Sequence, residues 1–322
     1  MMNKKINEIA FWDMTANDVM RIGATMEDTQ PLYKELWYEN EICVLFAESN
    51  VGKSILAMQI GEHIARNGKN VVYLDYELSI KQFYKRYSNE KTGEMYLFSD
   101  KLIHPDLRIE QICSEEEVEE RFFRLVEIKA KEGVKIFILD NMTYLCKNIE
   151  NGQYAMTFIK KLKGLKMEYG LSFLIIAHTP KRAVNKPIVK DDLAGSRKIM
   201  NFIDSCFAIG KSAHNRDIVY IKQIKVREGE FVYHEDNVLL CKREKLNNFL
   251  CFVECGYATE FDLLDTKNKQ RDKTEMKNLV YTLYNQGYSF RKIAKEIGFI
   301  SDKTVGKWIQ QYMQTGNNNI EC

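Results

Sequence analysis

The residues with the clearest potential for chemistry are the eight in Ala47-Glu-Ser-Asn-Val-Gly-Lys-Ser54. They follow a short apolar segment, Ile42–Ala47, and lead into a stretch with helical spacing of apolar residues. A turn of this kind between a strand and a helix lets consecutive backbone amides surround a phosphate at the helix N-terminus. The pattern predicts a phosphate-binding loop, or P-loop, formed by Glu48, Ser49, Asn50, Val51, Gly52, Lys53 and Ser54.

Two side chains of this loop have predicted roles toward ATP and Mg²⁺. Lys53 would reach the β- and γ-phosphates, and the Ser54 hydroxyl would ligate the metal ion. Ala47 stands where the strict pattern has glycine, and alanine is tolerable there only if the backbone is not at positive φ. The prediction therefore depends on a strand before the loop, a helix after it and suitable partners elsewhere.

A carboxylate that completes such a site is expected at the end of another buried strand. Asp140 follows four apolar residues in Ile136-Phe-Ile-Leu-Asp140, the pattern called Walker B. Ligands of parallel sheets gather at the carboxyl ends of strands, and a buried carboxylate there is costly without a cation. Asp140 is therefore predicted to hold Mg²⁺ together with Ser54.

The group that activates water must come from another position, because Asn141 rather than glutamate follows Asp140. Glu77, just past the apolar segment Val71–Asp75, is the candidate. The alternative is that Glu77 only precedes a helix whose start is marked by Ser79 and Gln82.

The elements that must position these residues alternate regularly between strands and helices. Near-continuous apolar strands separated by helices predict a parallel sheet covered on both faces. The predicted strands are Ile42–Ala47, Asn70–Tyr76, Val134–Asp140 and Leu171–Ala177, with helices at Ser54–Arg66 and Tyr154–Glu168. Beyond Asp204, short strands without intervening helices predict antiparallel additions at Ser205–Ile209, Ile218–Lys225, Phe231–His234 and Phe249–Val253.

Residues from about Trp37 to Val253 resemble the RecA-type ATPases, in particular the RepA- and DnaB-like hexameric helicase branch. The resemblance implies that Glu77, in Leu74-Asp-Tyr-Glu-Leu-Ser79, activates water. It also implies that His178, in Leu174-Ile-Ile-Ala-His178, senses the γ-phosphate. The alternative for His178 is a histidine that merely ends a strand.

Two further segments carry roles that the resemblance implies. The basic stretch with Lys181 and Arg182 would face a central channel and touch DNA, unless it is only a solvated loop. Lys225 and Arg227, in Ile221-Lys-Gln-Ile-Lys-Val-Arg-Glu-Gly229, would reach the nucleotide of a neighbouring subunit. That role requires a homo-oligomer, most simply a hexameric ring. The alternative is an exposed charged pair that protects a sheet edge.

The C-terminal segment has the pattern of three short helices with a glycine before the last one. Gly287-Tyr-Ser-Phe-Arg-Lys-Ile-Ala-Lys-Glu-Ile-Gly298 resembles the helix-turn-helix of the resolvase and transposase class. The resemblance implies duplex DNA binding, with a protein-interaction module as the alternative. Arg291 and Lys292 of the second helix are predicted to contact the DNA backbone. The predicted DNA contacts of the third helix are Lys303, Thr304 and Lys307.

Charge and composition agree with this division of the chain. Lys267 to Met313 contain ten basic and four acidic residues, a net charge of +6, whereas the whole chain of 322 residues carries +2. A basic module on a near-neutral body favours nucleic acid as a partner. Eight cysteines without a CxxC pair, and no apolar run approaching about 18 residues, favour a reduced cytoplasmic protein without a membrane partner.

The predicted fold is thus α/β, with a RecA-like P-loop NTPase core and a small all-α helix-turn-helix domain. The predicted function is a Mg²⁺-dependent ATPase that binds DNA, a helicase or translocase in replication or mobilisation of DNA. The alternatives are a DNA-bound ATPase switch that does not unwind DNA, and a kinase-like or signalling P-loop protein. The predicted domains are an extension (1–30), the ATPase core (31–256), a linker (257–273), the helix-turn-helix (274–313) and a tail (314–322).

Overall fold

The structure of the protein, a computed structural model, describes residues 14–107, 115–145, 152–179, 185–193, 199–264, 277–297 and 302–316. Its strands are β1 (Pro31–Tyr33), β2 (Trp37–Tyr38), β3 (Ile42–Ala47), β4 (Val71–Asp75), β5 (Leu102–Ile103), β6 (Ile136–Asp140), β7 (Ser172–His178), β8 (Ser205–Lys211), β9 (Ile218–Lys225), β10 (Val238–Leu246) and β11 (Phe249–Ala258). Its α-helices are α1 (Ala16–Gly23), α2 (Lys53–Arg66), α3 (Ile80–Arg86), α4 (Glu115–Lys131), α5 (Met142–Leu145), α6 (Gly152–Tyr169), α7 (277–285), α8 (Phe290–Ile297) and α9 (Asp302–Gly316).

Nine of the strands form one mixed sheet in the order β11-β10-β9-β8-β3-β7-β6-β4-β5. The six strands from β8 to β5 are parallel, and β9, β10 and β11 are added antiparallel. The P-loop strand β3 lies between β7 and β8, so the carboxyl ends of β3, β7, β6 and β4 meet at one edge. This is the mostly parallel α/β sheet that the sequence predicted.

Both faces of the parallel part are buried, which explains its nearly continuous apolar strands. Along β3, the alternate residues Ile42, Val44 and Phe46 belong to one hydrophobic cluster, whereas Cys43 and Leu45 belong to the other. The first cluster includes the apolar faces of α4 and α6, and the second includes that of α2. The side chains of this one strand therefore contribute to the hydrophobic clusters on both faces of the sheet.

The antiparallel part differs from the prediction in one strand. Residues 231–234 are not a strand: Phe231 is 46% exposed, and although the Tyr233 carbonyl accepts from the Gln223 amide, the Tyr233 amide donates to the side chain of Gln223. The strand lies instead at Val238–Leu246, where β10 pairs with both β9 and β11. The turn to β11 is made by Asn247 and Asn248, both at positive φ, as the tight turn of a hairpin requires.

The described N-terminal residues form α1, which starts with a Thr15–Asp18 capping box and has no buried residue. The side chains of α1 therefore lie outside the buried core. The described part of the chain contains no helix long and apolar enough to cross a membrane.

The C-terminal helices α7, α8 and α9 have a hydrophobic cluster of their own. Its fully buried members are Val280, Ile293, Val305 and Ile309. The connection between α8 and α9 lies outside the described residues, so the helix-turn-helix stays a prediction. The sheet extends to Ala258, and Leu263 and Leu264 after it are buried, so the packed core passes the predicted boundary at residue 256. The division into domains likewise stays a prediction.

Candidate functional site

The P-loop leaves β3 and enters α2 in the conformation that the sequence pattern requires. Ala47 is the last residue of the extended β3 and pairs with His178 of β7, so alanine is sterically acceptable there. Gly52, by contrast, precedes α2 with φ of 112°. A Cβ at Gly52 would lie 2.6 Å from Cζ of Phe252. Of these two positions, only Gly52 needs glycine, for its backbone angle and for the space beside Phe252.

Lys53 is buried at the start of α2, and its ammonium group lies within the loop. Nζ donates hydrogen bonds to the carbonyl oxygens of Ala47 at 2.9 Å and Glu48 at 3.0 Å. It also lies 3.1 Å from Nδ1 of His178. Burial lowers the pKa of Lys53, and the carboxylates of Asp140, Glu77 and Glu48 oppose this shift. A charged ammonium group is thus held at the point where the P-loop curves.

Asp140 ends β6 beside this loop and is 1% exposed. Its Oδ2 accepts a hydrogen bond of 2.8 Å from the Tyr73 hydroxyl, whereas Oδ1 has no partner among the described residues. Burial raises the pKa of Asp140 to about 6, against the opposing effects of hydrogen bonds from Ser54 and Tyr73. A buried carboxylate oxygen without a donor, beside a serine hydroxyl, fits a hard cation such as Mg²⁺.

Glu77 lies in the turn after β4 and faces the same edge. Its Oε1 accepts a hydrogen bond from Nδ2 of Asn141 and lies 3.2 Å from Nε2 of His178. Nδ1 of His178 faces the Lys53 ammonium group, and Nε2 lies 3.0 Å from Nδ2 of Asn141, on the side of Glu77. Lys53, His178, Glu77 and Asn141 therefore form one connected polar network.

The predicted residues Lys53, Glu77, Asp140 and His178 are brought together by four different strand ends or turns. Sequence reasoning missed two members of the arrangement, Asn141 and Tyr73. Asn141 directly follows the Walker B aspartate, and that position was its only signal. Tyr73 gave none, because its apolar neighbours in β4 make it look like an ordinary core residue. The chemical roles of all these residues stay predictions.

Lys225 and Arg227 lie at the opposite end of the sheet from the P-loop of the same chain. Lys225 pairs with Cys206 near the start of β8, and its Nζ donates to the carbonyl oxygens of Met200 and Ile203. Arg227 lies past the end of β9, and its guanidinium forms an ion pair with Asp204. A role for them at a nucleotide would therefore be played in a neighbouring subunit.

The residues predicted to contact DNA fall into two groups. Lys181 and Arg182 lie outside the described residues. On the C-terminal helices, Thr304 is partly buried and the other four are exposed: Arg291, Lys292, Lys303 and Lys307. Nζ of Lys292 lies 4.1 Å from the centre of the Tyr288 ring.

The raised pKa of Asp140 gives a testable effect on stability. Since the pKa is raised from 3.8 to about 6, burying the charged carboxylate costs free energy that grows between these pH values and is constant above them. We expect Asp140→Asn to stabilise the protein without nucleotide or metal by up to about 3 kcal/mol at pH 8. The stabilisation should disappear near pH 4, and urea unfolding at both pH values measures it. A variant no more stable than the wild type at pH 8 would contradict the assigned environment.

Comparison with known proteins gives a family model for more than half of the chain. Residues 12–184 match the family model described as "AAA domain", and residues 276–322 match one described as "Putative ATPase subunit of terminase (gpP-like)". No curated protein is significantly similar in sequence to this chain.

Solved structures share the fold at low sequence identity. One of them, described as an ATPase domain, is 11% identical with a TM-score of 0.55, over 74% of this chain and 96% of that chain. A DnaB-like replicative helicase, from a structure that describes its interactions with primase, is 10% identical with a TM-score of 0.53. That match covers 78% of this chain and 67% of that chain. The mostly parallel sheet therefore has the RecA-like P-loop fold, as the sequence predicted.

Proposed function

The chain belongs to the AAA domain family, and from this premise we propose that it is a Mg²⁺-dependent ATPase that acts on DNA as a helicase or translocase. The observation that carries the proposal is the network that joins Lys53 of the P-loop to Glu77 through His178. This network lies at the carboxyl edge of the sheet, and the fold of that sheet is similar to the fold of a DnaB-like replicative helicase. Replication or mobilisation of DNA is the process that such an enzyme would serve.

The nucleotide would be held by the amides of the P-loop, from Glu48 to Ser54. Lys53 would neutralise charge on the transferred phosphoryl group, after exchanging its contacts with Ala47 and Glu48 for phosphate oxygens. Ser54 and Asp140 would hold Mg²⁺, which supplies charge neutralisation at the phosphates when bound. The Asp140 Oδ1 that lacks a donor among the described residues supports this role.

Glu77 would accept the proton of the attacking water. Its carboxylate is 42% exposed at the site, so water has access to it. Asn141 and His178 hold the carboxylate oxygen Oε1 from two sides, which restricts its orientation. Since His178 also contacts Lys53, it would transmit the presence of a γ-phosphate from the lysine to the general base.

Hydrolysis would also need a neighbouring copy, because Lys225 and Arg227 lie far from the P-loop of their own chain. We expect Arg227→Ala and Lys53→Ala each to lose most ATP turnover as pure proteins. In an equal mixture, some interfaces would combine the intact P-loop of one variant with the intact Arg227 of the other, so turnover should partly recover. Steady-state phosphate release across mixing ratios measures this. A mixture no more active than its components would contradict action between subunits.

DNA binding would depend on the C-terminal helices. We expect deletion of residues 267–322, which removes a net charge of +5, to weaken duplex binding while basal ATP turnover persists. Fluorescence anisotropy with a labelled duplex, at matched salt, measures the change. Unchanged binding would move duplex recognition into the ATPase core.

Unwinding itself is tested by strand displacement on a forked duplex. ATP-dependent displacement supports a helicase. DNA-stimulated turnover without displacement would restrict the activity to translocation or switching.

A further inference from the structure

Asp75 is a buried carboxylate that the proposed chemistry does not use. It ends β4, two residues before Glu77, and its side chain is 1% exposed. It is paired in register with Asp140 of the neighbouring strand β6. A second acid this close to the predicted metal ligand adds unfavourable charge, so its presence needs an explanation.

One oxygen of Asp75 fixes the backbone that carries Glu77. Oδ1 accepts hydrogen bonds from the amide of Glu77 at 2.9 Å and from the amide of Leu78 at 2.8 Å. On the other side, the amide of Tyr76 donates to the carbonyl oxygen of Asp140 at 2.7 Å. The turn between β4 and α3 is thereby hydrogen-bonded both to the end of β6 and to the buried side chain of Asp75.

The second oxygen of Asp75 faces His104, which follows β5. Oδ2 has no hydrogen-bond partner among the described residues, and Nε2 of His104 lies 3.6 Å away. The His104 ring is stacked on Tyr73, with centroids 5.8 Å apart and planes 10° from parallel. Because the Tyr73 hydroxyl donates to Asp140, His104 contacts Asp75 directly and Asp140 through Tyr73.

We propose that Asp75 is the positioning residue for Glu77, and that His104 supports it. The proposal rests on the proposed function, since Glu77 must be the general base. Oδ1 of Asp75 holds two successive amides, so it sets where the Glu77 side chain leaves the backbone. The contacts of Glu77 with Asn141 and His178 then follow from that placement. A displacement of about 1 Å at a catalytic group costs roughly 100-fold in rate.

The test compares Asp75→Ala, Asp75→Asn and the control Asp100→Asn, which removes an exposed acid from the loop before β5. For Asp75→Ala we expect kcat to fall by about 10- to 100-fold, with unchanged KM and unchanged affinity for a fluorescent ATP analogue. Asp75→Asn should recover most of kcat, because its amide oxygen accepts from both backbone amides. The control should match the wild type. An unchanged kcat in folded Asp75→Ala, or an equal loss in Asp75→Asn, would overturn the proposal.

Two further variants keep the test decisive. If Asp75→Ala does not fold, His104→Phe takes its place, since it keeps an aromatic ring beside Tyr73 and removes the ring nitrogens that face Asp75. We expect kcat to fall about threefold or more with KM unchanged, and an unchanged kcat would overturn the proposal. In a Glu77→Gln background, Asp75→Ala should have no further effect on turnover. If Glu77→Gln keeps full turnover, the proposed function fails. If Glu77→Gln loses turnover and Asp75→Ala keeps it, only the positioning role fails.

Discussion

Lys53→Ala is expected to abolish ATP hydrolysis, with kcat/KM falling by at least about 100-fold. The lysine is the buried cation at the curve of the P-loop, and its ammonium group already lies within hydrogen-bond distance of two loop carbonyls and His178. Alanine removes the charge that would neutralise the β- and γ-phosphates. It also disconnects His178 from the loop. Phosphate release and binding of a fluorescent ATP analogue measure the two losses separately.

A matched control exists at Lys101. This lysine is exposed and also donates to a backbone carbonyl, that of Gly68, at 2.6 Å. Lys101→Ala should hydrolyse ATP at the wild-type rate. Retained turnover in folded Lys53→Ala would contradict the assignment of the P-loop.

Glu77→Gln is expected to separate binding from hydrolysis. Glutamine keeps the oxygen that accepts from Asn141 but loses the basic carboxylate. We therefore expect kcat to fall by about 10²- to 10⁴-fold while the affinity for the ATP analogue is retained. Single-turnover hydrolysis measures the chemical step directly. The exposed Glu90 supplies the control, and Glu90→Gln should be unaffected.

Two results with Glu77→Gln would contradict its proposed role as the general base. Wild-type turnover would show that another group activates water. Loss of analogue binding together with turnover would show that Glu77 supports the fold of the site rather than the chemical step. The pair Lys53→Ala and Glu77→Gln therefore distinguishes phosphate binding from proton transfer.

The sequence predicts the edge of the sheet well because that edge follows from strand ends alone. Parallel strands share a carboxyl edge, so Lys53, Asp140 and His178 had to lie together once their strands were identified. Their mutual contacts depend on side-chain reach across strands, which sequence spacing does not contain. Asn141 and Asp75 show this limit: each is adjacent in sequence to a predicted feature, yet its partners come from other strands or turns.

The sequence could not predict the surroundings of Lys225 and Arg227, at the edge of the sheet opposite the P-loop. Strand alternation predicts that Lys225 and Arg227 share one face of a strand, but β9 ends at Lys225 and Arg227 lies beyond it. Both side chains are engaged near Asp204, whose buried carboxylate also contacts Lys166. The local sequence around Lys225 and Arg227 does not indicate that Asp204 is their neighbour, because Asp204 precedes a different strand, β8.

The strand predicted at Phe231–His234 was wrong for a related reason. Aromatic residues at alternate positions imitate a strand, whereas the real strand, β10, contains the charged run Lys242-Arg-Glu-Lys245 and does not look apolar. Its position as part of a two-stranded hairpin at the sheet edge allows those charges to reach solvent. The Asn247–Asn248 turn was the available signal for it.

The measurement that tests the central claim most directly is ATP turnover by the full chain at fixed salt, without DNA, with single-stranded DNA and with duplex. The account predicts Mg²⁺-dependent turnover that single-stranded DNA strongly stimulates, since a translocase couples hydrolysis to the strand it holds. Turnover that ignores both forms of DNA, in a protein that still binds duplex, would contradict the helicase or translocase and favour a DNA-bound ATPase switch.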